Sequence, residues 1–293
     1  MLTEIEVFAP AKVNIGLKVL PRLENEAYHN IESIFQTVNI KDRLKIKLTE
    51  GFDSINVISE ALPLPQDNTI TKAYEAFRKL KGNKSLPSVT VELEKNIPAG
   101  GGLGGGSSDA ASFITGLEKL LDVKLSKEEH DIIASEVGSD VFFFFHTDEE
   151  GKGCALVTGR GEKIEEIERR NDLHFLLVFP PVHSSTKEAY SLVDRHYESG
   201  EAGKIIFPDI KVLEKMYRSP LKCWRFVNSF TPPLVARYPE IGRALEALRE
   251  CGALFSDMSG SGATVFGLFA SKEDSMAAAE KLYTKGFKTV LSD

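Results

Sequence analysis

Cysteine is scarce in this chain. Cys154, Cys223 and Cys251 are the 3 in 293 residues, far apart and never in Cys-x-x-Cys spacing. That excludes a disulfide framework and a zinc finger, and it suits a reducing cytoplasm. No apolar run approaches the ~18–20 residues of a membrane span. The opening Met1-Leu2-Thr3-Glu4-Ile5-Glu6 lacks the apolar core of an export signal, so neither a membrane partner nor export is expected. Positive charge is in deficit: 36 Lys and Arg stand against 43 Asp and Glu, a net charge of −7. No broad basic face for nucleic acid follows from that balance, although it leaves room for a local basic pocket. Internal repeats are absent, and His130, His146, His174, His183 and His196 show no metal-ligand spacing. What is present is ordinary globular material, 42% hydrophobic and 27% charged, which rules out a disordered chain. The length suits two domains of usual size.

A boundary is expected between Gly151 and Asp172, where glycine-rich and charged residues interrupt the apolar pattern. The cut is placed at 160, giving units 1–160 and 161–293. In the first unit, 44–48 and 89–95 alternate like strands, and Ile70, Ala73, Tyr74, Phe77 and Leu80 space out like a helix face over 68–80. A second helix is expected from Ser108, with Ala111, Ile114, Leu117 and Leu121 as its stripe, and 141–145 reads as a buried strand. In the second unit, strands are expected at 175–179, 264–269 and 289–291. Helices are expected at 240–251, stopped by Gly252, and after the N-cap Ser271. Mixed connections of this kind predict an α+β fold.

The sharpest feature is Pro98-Ala99-Gly100-Gly101-Gly102-Leu103-Gly104-Gly105-Gly106-Ser107-Ser108-Asp109, set between an expected strand and an expected helix. Six glycines let the backbone approach a ligand closely. Their N–H groups, with the helix start and its dipole, make an anion site. Ser107 and Ser108 can offer hydroxyls to a phosphate or a hydrated Mg²⁺. A linker is the bland alternative, but linkers seldom sit between a strand and an amphipathic helix. No Gly-Lys-Ser/Thr follows, so this is not a P-loop. Gly100, Gly102 and Gly105 match the dinucleotide spacing, yet the acid such a site needs at the end of the next strand is not there.

Three further clusters each have a bland reading alone. Lys12 and Asn14 share one face if 9–14 is a strand, which could be solvated. Asp140 precedes the apolar run 141–145, where an acid is often a turn residue. Ser259-Gly260-Ser261-Gly262 could be a plain tight turn. Their order along the chain, with the glycine loop between them, resembles the GHMP kinase superfamily from Ala9 to Phe269. Tyr28-His29, Ser33-Ile34-Phe35-Gln36 and the run 184–190 are most similar to a member whose acceptor carries a cytidine diphosphate. Ala27, Phe142, Pro181 and Asp109 depart from the family's usual residues, and none removes a side chain that does chemistry.

The resemblance implies a two-domain GHMP kinase fold: an N-terminal ribosomal-S5-like α/β domain, a C-terminal ferredoxin-like α/β domain, and the active site between them. It implies ATP and Mg²⁺ as cofactors, with no protein metal cluster, and a monomer or weak homodimer in the cytoplasm. Asp140 is implied as base or orienting group and Lys12 as its cationic partner. Asn68, Lys95, Pro98, Gly100, Gly101, Gly102, Leu103, Gly104, Gly105, Gly106, Ser107 and Ser108 are implied on the ATP side. Asn14, Tyr28, His29, Thr186 and Tyr190 are implied on the acceptor side, with the two tyrosines sandwiching cytosine. The physics agrees: phosphoryl transfer asks a protein mainly to position groups and neutralise charge. The alternatives are a kinase for mevalonate or homoserine, a nucleotide-binding module without catalysis, and a dinucleotide-dependent oxidoreductase. Intact Lys12 and Asp140 speak against the second.

Overall fold

The alternation at 44–48 is the middle of a much longer strand. In the computed structural model, which describes residues 2–22, 28–60, 63–82, 85–200 and 206–292, β1 (Glu4–Val19) runs antiparallel to β2 (Ile31–Phe52) along almost its full length. The other edge of β2 is shared. Residues 43–52 pair with β4 (Pro87–Glu94), and 31–36 pair with β5 (Cys154–Gly159). β3 (Ile55–Ile58) lies parallel to β4 at one margin, and β6 (Lys163–Glu166) closes the other. Ala27 lies outside the described residues.

Four helices accompany this sheet. α1 (Thr69–Leu80) buries Ile70, Ala73, Tyr74 and Phe77, and Asn68 caps it by accepting from the N–H groups of Ile70 and Thr71, both at 3.0 Å. α2 (Gly105–Leu121) begins three residues before the expected Ser108, because Gly104 takes φ +72° and turns the chain into the helix directly. α3 (Lys127–Val137) opens on a capping box between Ser126 and Glu129. α4 (Ser139–Phe144) corrects the expected strand at 141–145: a short apolar run cannot distinguish a strand from one buried helical turn. Its Val141, Phe143 and Phe144 are buried against α2 and α3.

β6 carries the first sheet to Glu166, past the expected cut at 160. The second sheet begins with β7 (His174–Phe179). After it come α5 (Thr186–Glu198), α6 (Ile210–Tyr217), α7 (Thr231–Arg237) and α8 (Pro239–Glu250). The hairpin β8 (Phe255–Met258) and β9 (Val265–Phe269) follows, then α9 (Lys272–Thr284) and β10 (Lys288–Ser292). The strand order β10-β7-β9-β8, all antiparallel, is the ferredoxin-like arrangement. The fold is therefore α+β in two parts, as expected. The parts share their apolar interior. One cluster joins Phe35 and Phe143 to Phe230 and Val265, the other Val13 and Ile34 to Phe175 and Phe266.

Candidate active site

Lys12 and Asn14 sit two apart on β1, so their side chains leave the same face. That face is not solvated. Lys12 is 3% exposed, Asn14 is buried, and the lysine ammonium donates to Asn14 Oδ1 at 2.6 Å. The same ammonium lies 3.3 Å from Asp140 Oδ2, 3.4 Å from the carbonyl of Gly102 and 4.5 Å above the Phe35 ring. Asp140 stands in the first turn of α4, one-third exposed, so its carboxylate meets the buried cation from the open side. Asn14 is held in turn by Ser33, whose hydroxyl donates to Gly16 O at 2.6 Å.

The glycine-rich loop crosses above this pair. Lys12 N–H donates to Leu103 O at 2.9 Å. From the other part of the chain, the β8–β9 hairpin docks on the loop. Ser259 Oγ donates to Gly102 O at 2.9 Å, and Thr264 N–H donates to Gly101 O at 3.3 Å. A Cβ on Gly102 would stand 2.1 Å from Ser259 O, so only glycine permits the contact. The run 259–262 is thus both the tight turn of a hairpin and one wall of the site.

Loop, α4, hairpin and the start of α5 enclose a cavity of about 1470 Å³, larger than the ~300–1,000 Å³ of one ordinary ligand pocket. Of the catalytic, ATP-side and acceptor-side residues that the resemblance implied, all but Ser108 line it. Ser108 is buried in α2, and its hydroxyl has no partner there. Asn68 is engaged as a helix cap, and the Lys95 ammonium lies between Asp42 and Asp109.

At the far end, the aromatic residues meet in a way the sequence did not suggest. His29 stacks on Tyr190, with ring centroids 5.1 Å apart and planes at 17°. Tyr190 also meets Phe230 edge-on at 4.9 Å. Burial and the charge of Asp140 push the Tyr190 phenol up to about 12, so it stays protonated. Both His29 nitrogens are engaged, Nδ1 with Leu20 O at 2.9 Å and Nε2 with Asp194 Oδ1 at 3.1 Å. Tyr28 is 64% exposed, with the Arg160 guanidinium 5.4 Å from its ring centre. Thr186 begins α5 and reaches Ser261 Oγ at 3.3 Å.

Sequence reasoning missed Arg22, Arg160 and Lys187, three cationic residues on the cavity wall. Arg160 had a signal, a charged residue between Gly159 and Gly161 at a strand turn, but it read as part of a boundary. Among the described residues, no group of three or more His, Cys, Asp or Glu could hold a metal ion. The Ser107 hydroxyl, on the cavity wall at the start of α2, fits a magnesium ion held mainly by phosphates and water.

Comparison with known proteins bears on the same residues. The GHMP kinases N terminal domain matches 68–148, and the GHMP kinases C terminal domain matches 211–289. A 4-diphosphocytidyl-2-C-methyl-D-erythritol kinase of Treponema pallidum (strain Nichols) is 36% identical over 290 residues, covering 97% of this chain and 96% of that protein. A protein of the same name from Thermotoga maritima is 36% identical over 266 residues, covering 90% and 92%. A crystal structure of 4-(cytidine 5'-diphospho)-2C-methyl-D-erythritol kinase superposes with a TM-score of 0.77 at 28% identity, covering 98% of both chains. A homoserine kinase from Cytophaga hutchinsonii shares the fold, with a TM-score of 0.68 at 19% identity over 99% of this chain and 94% of that one.

Proposed function

The chain belongs to the GHMP kinases, and we propose that it phosphorylates the 2-hydroxyl of 4-diphosphocytidyl-2-C-methyl-D-erythritol with ATP, giving the 2-phosphate and ADP in the non-mevalonate route to isoprenoid precursors. The observation that carries the reading is the Lys12–Asp140 pair, 3.3 Å apart beneath a glycine-rich loop, in a cavity with room for two ligands. Full-length likeness to kinases of that name supports the choice of acceptor.

Asp140 accepts the proton of the attacking hydroxyl as the new P–O bond forms. The bond from the γ-phosphorus to the bridging oxygen breaks, and ADP leaves with that electron pair. Lys12 opposes the negative charge gathering on the reacting oxygens, and its burial beside Phe35 makes that charge count for more than in water. The N–H groups at the start of α2 and along loop 100–104 hold the phosphates. Ser107 would offer a protein oxygen to a bound Mg²⁺, which would neutralise phosphate charge.

On the acceptor side, Asn14 and Thr186 offer polar contacts, and Tyr28 and Tyr190 offer ring faces to the cytosine. His29 already covers one face of Tyr190 and has both ring nitrogens engaged, so its side chain orients Tyr190 and its backbone remains for the base edge. On the nucleotide side, Asn68 and the loop face the adenosine and phosphates. Three unpaired cysteines support a reducing cytoplasm. Among the described residues, no helix is long and apolar enough to cross a membrane.

A coupled ADP-release assay tests the reading against the cytidine acceptor, mevalonate, homoserine and galactose. ADP release is expected with the cytidine acceptor alone. Turnover of mevalonate or homoserine in its place would overturn the assignment.

A further inference from the structure

The strand entering the glycine-rich loop and the helix leaving it are tied by a buried ionic cluster that phosphoryl transfer does not use. Asp42, fully buried on β2, accepts from the Lys95 ammonium through Oδ2. Its Oδ1 accepts from the backbone N–H groups of Asn96 at 2.5 Å and Ile97 at 2.8 Å. Lys95 Nζ also donates to Asp109 Oδ2 at 2.7 Å, in the second turn of α2. The chain therefore leaves this cluster at Ile97, makes the loop, and returns to it at Asp109. The helix start is close as well: a Cβ on Gly105 would lie 2.9 Å from Ile97 Cγ2 and 3.4 Å from Lys95 Nζ.

We infer that Asp42, Lys95 and Asp109 act together as a positioning group that fixes the distance between the two ends of the glycine-rich loop, with Lys95 acting through Asp109 rather than on the nucleotide. The inference rests on the proposed reading that the loop holds ATP phosphates.

Three considerations support it. A glycine-rich loop has much conformational freedom to lose, so fixing its ends in advance spares that cost when ligand binds. A buried ion cluster is poor at adding net stability, because desolvation offsets attraction; fixing one arrangement over others is its better-attested use. The charges are also unequal. Two carboxylates share one ammonium, and burial together with the charge of Asp42 pushes the Asp109 carboxyl up to about 7, with Lys95 opposing that rise. Asp109 Oδ1 has no hydrogen-bond partner. A buried oxygen left unsatisfied costs stability, so stability alone does not account for the cluster.

The test compares Asp109→Ala, Lys95→Met, the double variant and Asp109→Asn in the full chain, with kcat and both KM values from the coupled assay. Binding of the non-hydrolysable analogue AMP-PNP is followed by calorimetry. Each single truncation is expected to raise KM for ATP by ~10-fold or more and leave the acceptor KM within about twofold, the scale on which small misplacements act. The double variant is expected to be no worse than the poorer single one, since both remove the same tie. Asp109→Asn, whose amide oxygen can still accept from Lys95, is expected to recover most of the loss. The inference would be overturned by a normal ATP KM in Asp109→Ala beside a raised one in Lys95→Met, which makes Lys95 a direct ligand, or by additive losses in the double variant. Equal losses for both substrates that Asp109→Asn does not rescue would reduce the cluster to a general structural role and also overturn it. Wild-type protein that fails to bind AMP-PNP would instead remove the underlying reading of the loop, whereas normal binding by all four variants would remove only the inference.

Discussion

Asp140 and Lys12 divide the work by exposure as much as by charge. The carboxylate is one-third open to the cavity, where an acceptor hydroxyl can reach it, and the ammonium is sealed beneath the loop. Asp140→Asn keeps the shape of the side chain and removes the proton acceptor, so kcat should fall by at least ~10²-fold with KM for ATP little changed. Lys12→Met keeps the packing on Phe35 and removes the charge; a loss of ~10²–10³-fold in kcat is expected, as for other oriented charges. Near-normal turnover in either variant would sink the assigned role. These two residues were legible because each stands inside a short motif whose spacing carries meaning. Asp42 was not. It lies 53 residues before Lys95, on another strand, and nothing local marks it as that lysine's partner. The engagement of both His29 nitrogens was hidden for the same reason, since Leu20 and Asp194 come to it only through the fold.

Elements with long apolar periodicity, such as α1, α2 and α8, were readable directly, whereas the short segment 139–144 was not. Five apolar residues in a row fit a strand or a helical turn equally well, and packing against α2 and α3 decides between them. The hairpin β8–β9 was read as a turn, yet where it lands is a tertiary matter. Its meeting with the loop gives a prediction at this scale. Gly102 has φ +76°, and a Cβ there would collide with the backbone of Ser259. Gly102→Ala should therefore push the hairpin off the loop, cost ~1–3 kcal/mol in chemical denaturation, and raise KM for both substrates. Gly106→Ala is the control, with its nearest neighbour, the Thr69 hydroxyl, at 3.3 Å and no unusual φ. A Gly102→Ala protein as stable as wild type would mean that the two parts are not held in this contact.

Across the whole molecule, buried carboxyls set how stability changes with pH. Asp257, at the end of β8, accepts from the Thr231 hydroxyl at 2.7 Å, and burial pushes its carboxyl up to about 6. A raised carboxyl holds its proton more tightly folded than unfolded, so its contribution to stability falls as pH rises from about 4 to the raised value. Asp257→Asn can still accept from Thr231. It should flatten the thermal-stability profile between pH 4 and 6 and leave the protein at pH 8 at least as stable as wild type, by an amount on the order of 1–3 kcal/mol. An unchanged slope would show that Asp257 ionises without penalty. At this scale the two-part α+β fold was legible, but the cut at 160 was set by polar composition, and composition cannot show that Lys163–Glu166 completes the first sheet. The strand β2 has one more consequence, during synthesis of the chain. Its pairing with β1 needs only the first 52 residues, but the edge at 31–36 waits for β5, which ends at Gly159. Until then the nascent chain carries an unpaired edge that includes Ile31, Ile34 and Phe35, the kind of surface to which other chains add. On the ribosome, more than a hundred residues must therefore emerge while that edge stays open to pairing with other chains.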